Sequence, residues 1–241
     1  MMSRFPLLVA VVLLAGCAPA PKPPDDGTSP LVVIQKVDGS LPPGSRERLP
    51  EFVLFGDRTA IVRADRQGVV LTGDRRTLTR AEVATLFGQA DEAALMRDMR
   101  YPTQVEDGGL LDIRVRGHLT TVDGPQRSDR GLRGRIVQFA ATAPTLGEPA
   151  GPYVPQTAAV IRLNEFRPDL TDVRPWPLST VPTAMPGGPS RPCVTVAGAE
   201  LTSLTALLRT AGPATRWAGG GTRYLLLMRP LLPYEHGCAD F

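Results

Sequence analysis

The chain has 241 residues, 42% of them hydrophobic and 21% charged, with a formal net charge of +3 at pH 7. That length suffices for one good core or two small ones packed together. A net charge this small argues against bulk electrostatic binding to nucleic acid.

The chain opens on an export signal. Met1-Met2-Ser3-Arg4 precedes an apolar run from Leu7 to Ala15 and then Gly16-Cys17, the charged, apolar and small-residue order of a secretory leader. The run is far short of the roughly 20 residues that span a bilayer as a helix, so residues 1–16 are expected to be a cleaved signal peptide. Leu14-Ala15-Gly16-Cys17 resembles the lipobox of bacterial lipoproteins at all four positions. The resemblance implies cleavage before Cys17 and a thioether-linked diacylglycerol on its sulfur; an ordinary leader cut at another bond is the competing reading. Two acyl chains make a stable anchor where one would be marginal. Residues 17–30 are polar and proline-rich, and at about 3.1 Å per residue form a tether of up to roughly 40 Å. The expected location is therefore the extracytoplasmic face of the cell membrane, with membrane lipid as the partner of Cys17. Loss of Arg4 with the leader lowers the charge from +3 to +2.

A first α+β unit is expected over residues 31–143. Leu31 to Val37 is a β-branched strand ended by Asp38-Gly39, and Glu51 to Phe55, Ala60 to Arg63 and Gly68 to Thr72 follow as short strands between turn residues. Thr79 and Glu82 form a capping box, and Val83, Leu86, Phe87 and Ala90 fall on one helical face, which predicts a helix from about Arg80 to Met96. Leu110 to Val122 predicts a strand pair with Leu111, Ile113 and Val115 on one face and Asp112, Arg114, Arg116 and His118 on the other. A turn at Asp123-Gly124-Pro125 and a basic loop then lead to an expected strand over Arg135 to Ala141.

Residues 144–192 carry prolines every few positions, which deny ladder hydrogen bonds and predict a connector interrupted by one apolar run, Ala158 to Leu163. A second α+β unit is expected over residues 193–241. It starts with the strand Val194-Thr195-Val196, continues as a helix marked by Leu201, Leu204, Leu208 and Ala211 and ended by Gly212-Pro213, and closes with a hairpin from Thr215 to Met228. The fold class is thus α+β, rich in antiparallel sheet, with one helix packed in each of two halves around the proline-rich connector. Once Cys17 is lipidated, Cys193 and Cys238 remain; in an exported chain such a pair reads first as a disulfide. A nucleophilic cysteine helped by His236 is the competing reading.

Leu49 to Asp57, Arg174-Pro175-Trp176-Pro177, Cys193, Trp217, and Arg229-Pro230-Leu231-Leu232-Pro233 with Glu235 and Cys238 together resemble a group of uncharacterised secreted lipoproteins of high-GC Gram-positive, actinobacterial type. Such proteins more often place glycine after the Asp57 position, where this chain has Arg58. An arginine-, alanine-, glycine- and proline-rich composition with Asn164 as the single asparagine fits a high-GC genome. The resemblance implies a location and no chemistry.

Three constellations are candidates for chemistry. His118 on a polar strand face has the residue type of a general base, or occupies a solvated position among charges. Arg127, Arg130 and Arg133 lie in a glycine-rich stretch, and arginine forks bind phosphate or carboxylate bidentately, which makes this the candidate anion-binding loop; a solvated loop is the bland counterpart. The recurring aspartate-glycine turns lack the alternating spacing that wraps a calcium ion, so no metal is assigned. Trp176 and Trp217 are read as packing residues before sugar platforms. No cofactor motif is read either, and no Gly-x-Ser-x-Gly, His-Glu-x-x-His or Cys-x-x-Cys occurs in the chain. The expected function is a non-enzymatic envelope-anchored binding or interaction module, with an anionic envelope component or another envelope protein as partner. An exported hydrolase using His118 or a carboxylate pair is the second reading.

Overall fold

The computed structural model describes residues 26–37, 39, 47–103, 108–163, 172–186 and 192–241. The leader, Cys17, most of the tether and the turns at Asp38 and Asp107 lie outside these residues. Among the described residues, 13 strands join one mixed sheet.

The N-terminal strands β1 (Pro30–Val37), β2 (Phe52–Phe55), β3 (Thr59–Gln67) and β4 (Val70–Thr77) pair antiparallel in succession. All four residues of β2 are buried, because both faces of this part of the sheet are covered. Val32, Ile34, Phe52 and Leu54 pack into one apolar cluster with the helices, while Val53, Phe55 and Ile61 pack on the other face against Leu232 and Tyr234 from the C-terminal tail. Such two-sided burial produces continuous apolar runs in place of strict alternation.

Helix α1 (Arg80–Glu92) starts where the capping box placed it. The Thr79 hydroxyl accepts the Glu82 N–H at 3.2 Å, and the Glu82 carboxylate accepts the Thr79 N–H at 2.7 Å. The Glu82 carboxyl is held below the usual carboxylate range, first by the Thr79 N–H and then by the Thr79 hydroxyl, which donates to Oε2 at 2.8 Å, and by the Gly147 N–H. Strands β5 (Met99–Tyr101), β6 (Leu110–Val115) and β7 (His118–Asp123) follow; β6 pairs antiparallel with β1 and β7.

The expected strand over Arg135 to Ala141 is instead helix α2 (Gly131–Thr142). Leu132, Ile136, Phe139 and Ala143 pack into the same cluster as α1, at helical spacing. The adjacent β-branched Ile136 and Val137 favour a strand locally, and the tertiary burial of this stripe overrides them.

The proline-rich segment carries three strands, β8 (Glu148–Pro152), β9 (Thr157–Leu163) and β10 (Val173–Pro175). β9 sits between β11 (Cys193–Ala197) and β13 (Thr222–Pro230), antiparallel to both. Prolines flank β9 and none falls within it, which leaves its ladder intact. Ala158 and Val160 face helix α3 (Gly198–Arg209), whereas Ala159 and Ile161 pack with Cys193, Leu227 and Leu231. Strand β12 (Arg216–Gly219) pairs antiparallel with β13 to complete the expected hairpin. Cys193 and Cys238 form a disulfide that fixes the C-terminal tail to β11.

The α+β, sheet-rich class is therefore correct, with two differences. The sheet is mixed: β5 with β7, β4 with β13 and β10 with β12 are parallel. Each of these pairs joins strands with other elements between them in the chain, as parallel pairing requires a crossover connection. The helices number three among the described residues, two of them in the first 143, because α2 replaces a strand.

Two turns have positive φ with structural cause. Gly68 (φ 62°) lies against the end of α3, where a Cβ would stand 2.5 Å from the Arg209 carbonyl oxygen. Arg58 has φ 71° in the β2–β3 turn, a left-handed position that glycine fills without strain.

Candidate functional site

A half-open cleft of about 430 Å³ lies between α2 and the ends of β1, β2 and β3. Backbone bonds fix its floor. The Glu51 N–H donates to the Ile34 carbonyl at 2.8 Å, and the Arg63 N–H donates to the Glu51 carbonyl at 3.2 Å, so these residues stand in one row across the sheet. Lys36 pairs in register with Leu111 of β6, and both line the cleft. The opposite wall is Val137, Ala140, Ala141 and Pro144, spaced i, i+3, i+4 and i+7 beside the core stripe of α2. The alanines leave the gap that larger side chains would fill.

Three cations line this cleft, Lys36, Arg63 and Arg127, against one carboxylate, Glu51. Arg63 Nη2 lies 2.8 Å from Glu51 Oε1, both side chains being about a quarter exposed. Arg63 Nη1 is buried and has no hydrogen-bond partner among the described residues. A buried guanidinium nitrogen left this way carries the desolvation cost of an unmade charged hydrogen bond.

The structure separates the three arginines expected to act together. Arg127 lines the cleft. Arg130 is exposed at the N-cap of α2 and lies outside it. Arg133 is a structural clamp, with Nε on Asp129 at 2.8 Å and its two Nη atoms on the carbonyls of Tyr101, Asp123 and Gly124 at 3.3, 2.6 and 2.8 Å. Its donors tie α2 to the ends of β5 and β7.

His118 is not on the polar face with Asp112 and Arg114. The β6–β7 register sets His118 opposite Val115, while Arg114 is opposite Leu119 and Asp112 opposite Thr121. Partners in an antiparallel pair share a face, so the histidine belongs to the other side, where its Nδ1 lies 3.8 Å from Asp98 at an exposed position. Arg116 also leaves that face: it occupies the turn at φ 49°, and its guanidinium lies 4.3 Å from the Phe87 ring centroid. Trp217 is buried in the cluster under α3, and Trp176 donates its indole N–H to the Thr180 carbonyl at 2.7 Å while meeting Tyr224 edge-on. Both tryptophans pack within the fold.

A second charged constellation is structural. Arg229 and Glu235 form a buried bidentate pair at 2.6 and 2.7 Å, and Glu235 also accepts the Leu232 N–H at 2.8 Å. The motif from Arg229 to Pro233 with Glu235 is thus a self-tied turn that returns the tail over the sheet. Nearby, burial pushes the Tyr153 phenol up to about 12, the Glu235 carboxylate adding to the effect and Arg229 opposing it. Burial likewise raises Tyr234, with the same two neighbours.

Lys36, Glu51 and Arg63 were not among the residues singled out from the sequence. A signal for one of them existed: Lys36 continues the inward parity of Val32 and Ile34, which puts a charge where the strand pattern demands an apolar residue. No protein-family model, curated protein or solved structure matches the chain.

Proposed function

We propose that this chain is a lipid-anchored, extracytoplasmic binding protein of the bacterial cell envelope, similar to the secreted actinobacterial lipoproteins its motifs resemble, and that it holds an anionic envelope component in the cleft between α2 and β1–β3. The observation that carries the binding reading is the convergence of Lys36, Arg63 and Arg127 on one concave site. These cations suit recognition of a phosphate or carboxylate. Proton transfer is poorly served, since Glu51 is engaged with Arg63 and His118 does not line the cleft. Cys17, within the lipobox order, supplies the anchor, and the proline-rich residues after it the spacer.

Two measurements test this. The intact mass of the mature protein from its host is expected to correspond to a chain starting at diacylglyceryl Cys17; an unmodified N-terminus, or cleavage at another bond, overturns the anchor. The mature chain from Ala18, made without lipid, is expected to sediment with washed host envelopes at low salt, and the Lys36→Ala/Arg127→Ala variant is expected to stay in the supernatant. Equal sedimentation of the two, or none by either, overturns the binding reading.

A further inference from the structure

The geometry points to an amphipathic ligand: we infer that the cleft takes a phosphate or carboxylate group carried on a short apolar body, the anion at Lys36, Arg63 and Arg127 and the body along Val137, Ala140, Ala141 and Pro144. This inference rests on the binding reading above and narrows it to a ligand class. The cleft is two-sided in chemistry. One set of lining residues is cationic with Glu51 partly neutralising Arg63, and the other is the accessible apolar wall of Val137, Ala140, Ala141 and Pro144. Val137 and Ala140 are only partly buried although they adjoin the main cluster, so the apolar wall is continuous with the core and open to a guest. The volume of about 430 Å³ falls in the range of small-molecule sites. A free inorganic anion satisfies the cations and leaves that wall wet, whereas a neutral apolar molecule covers the wall and leaves the three cations without a counter-charge. Only a molecule with both ends meets both demands.

The probes are octyl phosphate, octanoate, octanol and inorganic phosphate, titrated into the 15N-labelled mature chain from Ala18. The expected result is that at least one octyl anion binds about tenfold or more tightly than octanol and than inorganic phosphate, a difference of about 1.4 kcal/mol. Amide shifts are expected at Lys36, Gln126 and Ala140, and raised salt is expected to weaken binding. Preference for octyl phosphate assigns a phosphorylated lipid-type headgroup, and preference for octanoate a carboxylate. Lys36→Ala/Arg127→Ala is expected to lose about tenfold of the anion affinity. Ala141→Trp, at an exposed rim position, is expected to block the octyl anions by filling the cleft with its charges intact. Octanol binding as well as the anions, inorganic phosphate binding as well as octyl phosphate, or shifts confined to another surface overturns the inference. If envelope sedimentation still depends on Lys36 and Arg127 in that case, the amphipathic ligand fails and the binding reading stands.

Discussion

Replacing Glu235 by glutamine tests whether a single buried charge pair holds the C-terminal tail. Arg229 is 1% exposed and Glu235 7%, and the carboxylate takes both guanidinium forks as well as the Leu232 N–H. Arg229 also stacks on Phe241, with its guanidinium carbon 4.1 Å from the ring centroid. Glutamine matches the shape but leaves the arginine cation in a dry site without its counter-charge. Breaking one side of such a pair costs about 3–5 kcal/mol, because the remaining ion keeps its desolvation penalty. In a chain of this size each kcal/mol moves the melting temperature by roughly 2–4 °C, so a fall of about 10 °C is expected. Guanidinium unfolding followed by the fluorescence of Trp176 and buried Trp217 gives the free energy directly. Replacing both ends, Arg229→Met with Glu235→Gln, removes the stranded charge, keeps a side-chain oxygen for the Leu232 N–H, and is expected to recover most of the loss. A single variant within about 1 kcal/mol of the parent, or a double variant no better than the single, refutes the reasoning.

The disulfide closes a separation of 45 residues, so Cys193→Ser/Cys238→Ser is expected to lose up to about 4 kcal/mol on the chain-entropy account, read as a lower denaturation midpoint. Arg58→Gly relieves the left-handed backbone at φ 71° and is expected to stabilise by about 0.5–1 kcal/mol, since the steric gain exceeds glycine's extra unfolded-state entropy; a lower midpoint counts against a strained turn. Tyr153 is raised to about 12 by burial, and its hydroxyl donates to the Leu231 carbonyl at 2.6 Å. A folded pKa above the unfolded value means that the stabilisation is fully present below about pH 10 and is lost as pH rises toward 12. Spectrophotometric titration is expected to show Tyr153 ionising well after an exposed tyrosine, in step with alkaline unfolding, and Tyr153→Phe to remove that part of the alkaline transition.

Most of the strands were legible because their turn residues are. Gly56-Asp57, the Thr79 and Glu82 box, and Gly212-Pro213 each act locally, so the elements beside them begin and end close to where the sequence placed them. The helix over Gly131–Thr142 was not legible from its most β-prone pair, Ile136 and Val137; the stripe of Leu132, Ile136, Phe139 and Ala143 carries the information, and it extends past both ends of the window that suggests a strand. Parallel pairing between β4 and β13 depends on packing between distant parts of the chain, which no local pattern encodes. The cleft shows the same division. Arg127 stood out as one of a basic group, whereas Glu51 and Arg63 reach it through ladder bonds between β1, β2 and β3. Arg133 has the same composition signal as Arg127 and a different fate, since only the fold presents three carbonyls to it.

The direction of β1 relates the proposed anchor to the proposed site. The tether enters the described fold at Asp26, and β1 runs from Pro30 toward Lys36. At about 3.3 Å per residue the cleft end of this strand lies roughly 20 Å from its start. Added to a proposed spacer of residues 17–25, at most roughly 30 Å at about 3.1 Å per residue, this sets the outer limit at which Lys36 and Arg127 can meet an anion, about 50 Å from the lipid. A ligand fixed in the same leaflet is within that limit, and so is one presented from the inner layers of the wall. Shortening the spacer by deleting residues 19–24 removes about 20 Å of reach and leaves the cleft intact. Retention of envelope binding by that deletion therefore indicates a ligand close to the membrane, and its loss, with affinity for octyl anions unchanged, indicates one held farther out.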